Sequence, residues 1–216
     1  MTNLKLHTLI EQNLQNIGSF AYQDMLPEEV DLQINYVIDW FIRNTLDAYQ
    51  KKQSTLEDLR TITEKNYVIS MLQDSSGTFT TGSLPDGYLY LINDRSIVNV
   101  ICRKEGKLVR FSKEVANRLD RTSDLYNILD HSFSKTRKTS PVSILNSNNI
   151  IVYLDGFIVP SVKIDYIRKP IIIDVVLNPN DQFEFPDGTF YKIAELTSKR
   201  IAILIEESQQ KIVNLQ

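Results

Sequence analysis

Apolar residues recur at helical spacing through one long run, Val30, Ile34, Val37, Ile38, Phe41, Ile42 and Tyr49, and this stripe constrains the fold more than any other feature. Pro27 is well placed in a first helical turn, and Glu28, Glu29 and Asp31 complement the positive end of the helix dipole. A face this broad cannot be left in water. Its partner stands at the other end of the chain, where Phe190, Ile193, Ala194, Thr197, Ile201, Leu204 and Ile205 share one face of a helix predicted from about Asp187. The two helices are expected to pack on each other around Ile38, Phe41, Ile201 and Leu204. An amphipathic helix over 2–17, with Leu6, Leu9, Ile10, Leu14 and Ile17 on one face and Gly18-Ser19 ending it, reads as too short to cover them. Trp40 falls beside the long stripe and fits either core or interface. Ser54-Thr55-Leu56-Glu57 matches a capping box for a short helix to about Thr63.

Between these ends the periodicity changes. Asn66 to Leu72, Tyr88 to Ile92, Ser96 to Arg103 and Leu108 to Phe111 are rich in strand formers, with turn signals at Asp74-Ser75-Ser76-Gly77, Leu84-Pro85-Asp86-Gly87 and Glu105-Gly106. Residues 113–131 read as a broken helix re-capped at Thr122-Ser123. Asn149 to Leu154 and Val162 to Arg168 read as a returning strand pair turned by Asp155-Gly156, and Ile171 to Leu177 as a further apolar strand. No regular alternation of strands and helices appears, which counts against a doubly wound nucleotide fold. The expected class is α+β: a helical body from residues 1–65 and 185–216, with a β-rich lobe inserted over 66–184.

Composition narrows the function. Of 216 residues only seven are glycine, about half the usual share of roughly 7%, which counts against a phosphate-cradling loop. No nucleotide-loop, nucleophile-elbow or zinc-helix motif occurs. His7 and His131 are the only histidines, and the lone cysteine, Cys102, lies in an apolar run and reads as a small buried hydrophobe. One cysteine can form no internal disulfide and no thiolate cluster. The expectation is a chain with no catalytic residue, no cofactor and no metal. An enzyme would have to be built around His131, with Asp130 beside it, or around the tyrosines. Met1 to Lys5 lead into a polar periodic segment, not an apolar signal core, and no apolar run approaches a membrane span. The expected place is therefore the reducing cytoplasm until assembly, with no membrane partner.

Charge is divided unevenly. Residues 1–64 hold five Lys/Arg against ten Asp/Glu, whereas residues 103–138 hold ten against five. Such segments suit internal pairing, solvated faces or complementary faces on neighbouring copies. Lys135, Arg137 and Lys138, with Arg168 and Lys169 in a second basic stretch, are the candidate interface residues. A DNA-binding accessory protein using 135–138 and 163–169 is the alternative reading.

Several blocks carry a family resemblance. Asp31 to Ile42 resembles the segment with which certain phage neck proteins begin. Leu84-Pro85-Asp86-Gly87-Tyr88-Leu89-Tyr90-Leu91-Ile92-Asn93-Asp94-Arg95-Ser96 is the most distinctive block. His131-Ser132-Phe133-Ser134-Lys135-Thr136-Arg137 with Ser140-Pro141-Val142, and Lys163-Ile164-Asp165-Tyr166-Ile167-Arg168-Lys169-Pro170, follow in the same order. Over roughly residues 30–205 these resemble virion structural proteins of crAss-like phages, which infect Bacteroides and relatives and build rings in the neck and tail barrel below the portal. Where that family has a helix start resembling Leu-Pro-Glu-His, this chain has Phe185-Pro186-Asp187-Gly188. The resemblance implies a head-to-tail connector ring, a dodecamer, with the portal and neighbouring rings as partners. It further implies a virion location and viral DNA passing through the channel without specific binding.

Overall fold

Helix α1 covers Asn3–Ile17 and α2 covers Pro27–Gln50, as their apolar spacing predicts. The Leu26 amide donates to Glu29 Oε2 at 2.9 Å, which secures the start of α2. A 3-10 helix follows at Glu57–Ile62, and α3 runs over Asp187–Val213. The computed structural model describes residues 1–17, 25–51, 55–92, 95–104, 107–119, 129 and 135–213, with the side chains of 95–119 described only at Val100. Ser54, the Thr122-Ser123 cap, His131 and the Cys102 side chain lie outside the described residues. The fold is α+β, and the chain divides into two units: Met1–Ile62 with Pro170–Gln216, and Thr63–Lys169.

In the helical unit α3 packs on both α1 and α2. Ile38, Phe41 and Ile201 are buried as expected, but Leu204 is 37% exposed, because it lies on the part of α3 that α1 and α2 leave uncovered and borders a groove with Tyr36 and Trp40. The small residues Ala194, Ser198 and Ala202 allow close approach, and the Ser198 hydroxyl reaches Ile10 O at 3.4 Å and Ala194 O at 2.8 Å. Phe183, Phe185 and Phe190 pack as an aromatic group, with 5.3 Å between the Phe183 and Phe190 rings and an edge-on angle of 82°. Thr189 and Lys192 at the start of α3 both contact Asp58, the lysine ammonium at 2.7 Å.

Residues 170–184, expected in the lobe, belong to the helical unit, and Ile171 to Leu177 is not a strand. Polar side chains of α2 supply the pairing that a neighbouring strand would have given. Asn35 accepts from the Ile173 amide and donates to the Ile173 carbonyl, both at 2.9 Å, and Asp31 Oδ2 accepts from the Val175 amide at 2.9 Å. Asn3 Nδ2 donates to Asn178 O at 3.2 Å. Backbone groups satisfied in this way leave Ile173 buried and Ile171, Ile172, Val176 and Leu177 in solvent.

The β unit contains β1 (Thr63–Ser70), β2 (Leu72–Gln73), β3 (Phe79–Ser83), β4 (Tyr88–Leu91), β5 (Arg95–Lys104), β6 (Lys107–Leu119), β7 (Val142–Asn146), β8 (Asn149–Tyr153) and β9 (Phe157–Arg168). Their order is β1-β9-β5-β6-β7-β8-β3-β2, with β4 also on β9, and every pairing is antiparallel except β6 with β7. Only Met71 separates β1 from β2, so the two ends of this order are one continuous run and the sheet closes on itself. Gly82 makes the closure possible. A Cβ there would lie 2.5 Å from Ile69 Cγ2, 2.6 Å from Met71 Sδ and 2.9 Å from Ser70 O.

Alternation fills the interior. Ile69, Met71, Ile150, Val152, Phe157, Val159, Val162, Ile164 and Tyr166 form its core. The buried phase of β9 shifts between Val159 and Val162, where the pairing with β5 slips by one residue around Pro160-Ser161. Proline has no ladder donor, so the bulge falls there naturally. Residues 113–119, predicted helical, continue β6 and pair with β5 from Val115 to Arg118. Lys, Glu, Ala, Arg and Leu favour a helix locally, but strand pairing overrides the preference.

Candidate functional site

The basic loop at 135–138 is a pinned turn. Arg137 and Ser140 exchange backbone hydrogen bonds of 3.2 and 3.0 Å, leaving Lys138 and Thr139 at the tip. Thr136 is buried below them, its hydroxyl donating to Tyr153 O at 2.7 Å and accepting from the Val142 amide at 3.2 Å. These bonds fasten the turn to β7 and β8. Lys135, Arg137 and Lys138 are exposed on it, and the Lys135 ammonium lies 3.2 Å from Asp155 Oδ2.

Arg168 and Lys169 stand elsewhere. Asp155 precedes the start of β9, whereas Arg168 ends it, so the two basic stretches occupy opposite ends of a twelve-residue strand. Lys163, which begins the second stretch, lies between them in the middle of β9. Arg168 Nε lies 3.9 Å from Glu64 Oε1, and the Lys169 amide donates to Gly87 O at 2.6 Å. The second contact is informative, because Gly87 and Lys169 belong to two of the blocks that carry the family resemblance. Tyr88 pairs with Arg168, Leu91 with Tyr166, and the Ile92 amide donates to Asp165 O at 3.0 Å. The two blocks therefore build one structural element.

Three tyrosines gather around it. Tyr166 meets Tyr67 edge-on at 5.6 Å and Tyr88 at 5.9 Å. Burial pushes the phenol pKa of Tyr88 above its ordinary value, and burial followed by the nearby Glu64 carboxylate does the same for Tyr166. Both phenols are neutral at physiological pH. The cluster is a packed aromatic contact.

The helical unit carries a surface feature that the buried stripe hides in the sequence. Leu32, Tyr36 and Trp40, spaced i, i+4 and i+8, form a second apolar stripe on α2 that faces solvent, with Trp40 47% exposed. Across from it α3 presents Ile203 and Leu204, and the groove between them holds about 410 Å³. The Arg200 guanidinium lies 3.7 Å above the Tyr36 ring and donates to Gln33 Oε1 at 2.8 Å, closing one side of the groove. Lys199 is held by Glu195 at 2.6 Å. Sequence spacing places Tyr36 and Trp40 off the core stripe, which is the signal that could have identified them.

His7, unassigned from sequence, makes a buried pair with Asp31: Nε2 lies 2.7 Å from Asp31 Oδ1. Since Asp31 also receives the Val175 amide, the pair joins α1, α2 and the 170–184 segment, and its role is structural. Among the described residues no group of three or more His, Cys, Asp or Glu could hold a metal ion. No helix among them is long and apolar enough to cross a membrane. Comparisons with protein-family models and with curated proteins find no match to this chain.

Proposed function

We propose that the chain is a structural subunit of an oligomeric ring in the neck or tail of a virion, of the kind built by crAss-like phages, through which DNA passes without chemical change. The observation that carries this reading is that charge divides with the fold. The helical unit, 1–62 with 170–216, holds nine Lys/Arg against sixteen Asp/Glu, a balance of −7, whereas 63–169 holds fifteen against eleven, a balance of +4. A ring needs a heterologous contact, in which one face of each copy meets a different face of the next. Units of opposite sign on one chain favour that contact over a like-to-like one. The copy number, twelve, the portal and adjoining rings as partners, and the virion location follow from the resemblance alone.

The test is mass. Light scattering and electron microscopy of the purified protein should give a closed ring of many copies, and mass spectrometry of virions should find the chain at ring stoichiometry. A protein that stays monomeric and is missing from virions would overturn the reading. The alternative, a DNA-binding accessory protein, rests on the positive β unit and its exposed loop. With Lys135 engaged by Asp155, and the two basic stretches at opposite ends of β9, duplex binding at physiological salt should be weak. Sub-micromolar binding that falls steeply with salt would establish the alternative.

A further inference from the structure

The groove between α2 and α3 has an apolar centre and, along one helix, charges of both signs. Its α3 side runs Leu196, Lys199, Arg200, Ile203, Leu204 and Glu207, and positions 196, 200, 203 and 207 fall on one helical face. Lys199 and Glu207 are eight residues apart, about 12 Å along the helix axis, and Ile203 is their midpoint. Ile203, Tyr36 and Trp40 are each about half exposed. These charges restrict what can cover the groove. An acidic segment would meet Glu207, a basic one would meet Lys199 and Arg200, and a wholly apolar one would bury charge without a partner. The complement is a surface with the same apolar centre and the opposite order of charge. A second copy, turned about a two-fold axis at Ile203, presents that surface, because such a contact sets residue i against j and j against i.

We infer that the α2–α3 groove is a two-fold self-association site. The α3 helices of two copies lie antiparallel with Ile203 near the axis, and Glu207 of each copy faces Lys199 and Arg200 of the other. Trp40 and Tyr36 of both copies cover the apolar centre, as aromatic anchors do in protein interfaces. Both cations can take a new partner. The Lys199–Glu195 pair is solvent-exposed and weakly held, and Arg200 uses Nε for Gln33, so its terminal nitrogens can meet a carboxylate. The balance of −7 on the helical unit opposes the pair only weakly, since physiological salt screens charges beyond about 8 Å. A two-fold contact closes after two copies, so this inference goes beyond the ring reading and does not rest on it.

Charge exchange in the full-length protein tests the two-fold order. Lys199→Glu and Glu207→Lys should each weaken association by about tenfold in sedimentation equilibrium, with circular dichroism unchanged because both side chains are exposed. An equimolar mixture of the two variants should recover it, because in the mixed pair both ends of the seam again join opposite charges. Trp40→Ala should weaken association by about tenfold or more, whereas Ile171→Ser, on a different exposed part of the helical unit, should leave it as it is. A photo-crosslinking amino acid in place of Ile203 should cross-link to 199–207 of another copy. Cross-links from position 203 to the β unit of another copy overturn the inference, as does a mixture of the charge variants that associates no better than either alone. A wild-type protein that is monomeric at every concentration also overturns it. Rings that form equally well from wild type and Trp40→Ala, with no cross-link from position 203, overturn this contact and leave the ring reading standing.

Discussion

Asp31→Ala is the substitution that most sharply tests how the helical unit is held. Asp31 is 6% exposed and accepts two hydrogen bonds, from the His7 ring at 2.7 Å and from the Val175 amide at 2.9 Å. Alanine removes the acceptor and leaves both donors behind. A buried donor left unsatisfied costs about 1–3 kcal/mol, and His7, buried in α1, falls at the upper part of that range. The Val175 amide is only partly buried and falls at the lower. The sum is about 3–4 kcal/mol. Urea unfolding followed by far-UV circular dichroism, with Trp40 as the only tryptophan and a reporter on α2, measures it. Asp31→Asn keeps one acceptor and should lose about half as much. Hydrogen exchange at the Val175 amide should accelerate in the alanine variant. A double-mutant cycle with His7→Ala should give a coupling of about 1–3 kcal/mol. A loss under about 1 kcal/mol with an unchanged denaturant slope would show that water replaces both partners, and the account of this clasp would fall.

Gly82→Ala places a Cβ inside contact distance of Ile69, Met71 and the Ser70 carbonyl; it should lower stability by about 1–3 kcal/mol, and a neutral thermal melt would show that the sheet does not close there. Tyr88 and Tyr166 have raised phenol pKa values, so above the ordinary value near 10 the unfolded chain loses those protons first. Their contribution is present below that pH and is lost as pH rises through the folded-state values; Tyr88→Phe should make stability less sensitive to alkali in a denaturation series between pH 8 and 11. Lys135→Glu with Arg137→Glu should leave the monomer folded, since both side chains are exposed, and reduce particle assembly; particles that assemble and package normally would remove this loop from the contacts.

The long helix was legible from the chain alone because an amphipathic stripe with a proline start is a local property: α2 begins and ends where Pro27 and the apolar spacing put it. The same holds for α3, for the turns at 85–87 and 155–156, and for the α+β order. Tertiary structure decided what depends on distant partners. Residues 113–119 have helix formers but pair with β5, and Ile171–Leu177 has strand formers but is taken by Asn35 and Asp31 of α2. Neither competition is visible within a window of neighbours. Asp31 reads as an acid that complements the start of α2, and only the approach of His7, 24 residues away, makes it a buried acceptor. The basic residues at 135–138 and 168–169 could be found by composition, but their separation to opposite ends of β9 could not. Likewise Leu204 belongs to an apolar face by spacing, yet it borders the groove because α1 and α2 together cover only part of α3. Periodicity tells which residues avoid water, and only the packing tells which of them succeed.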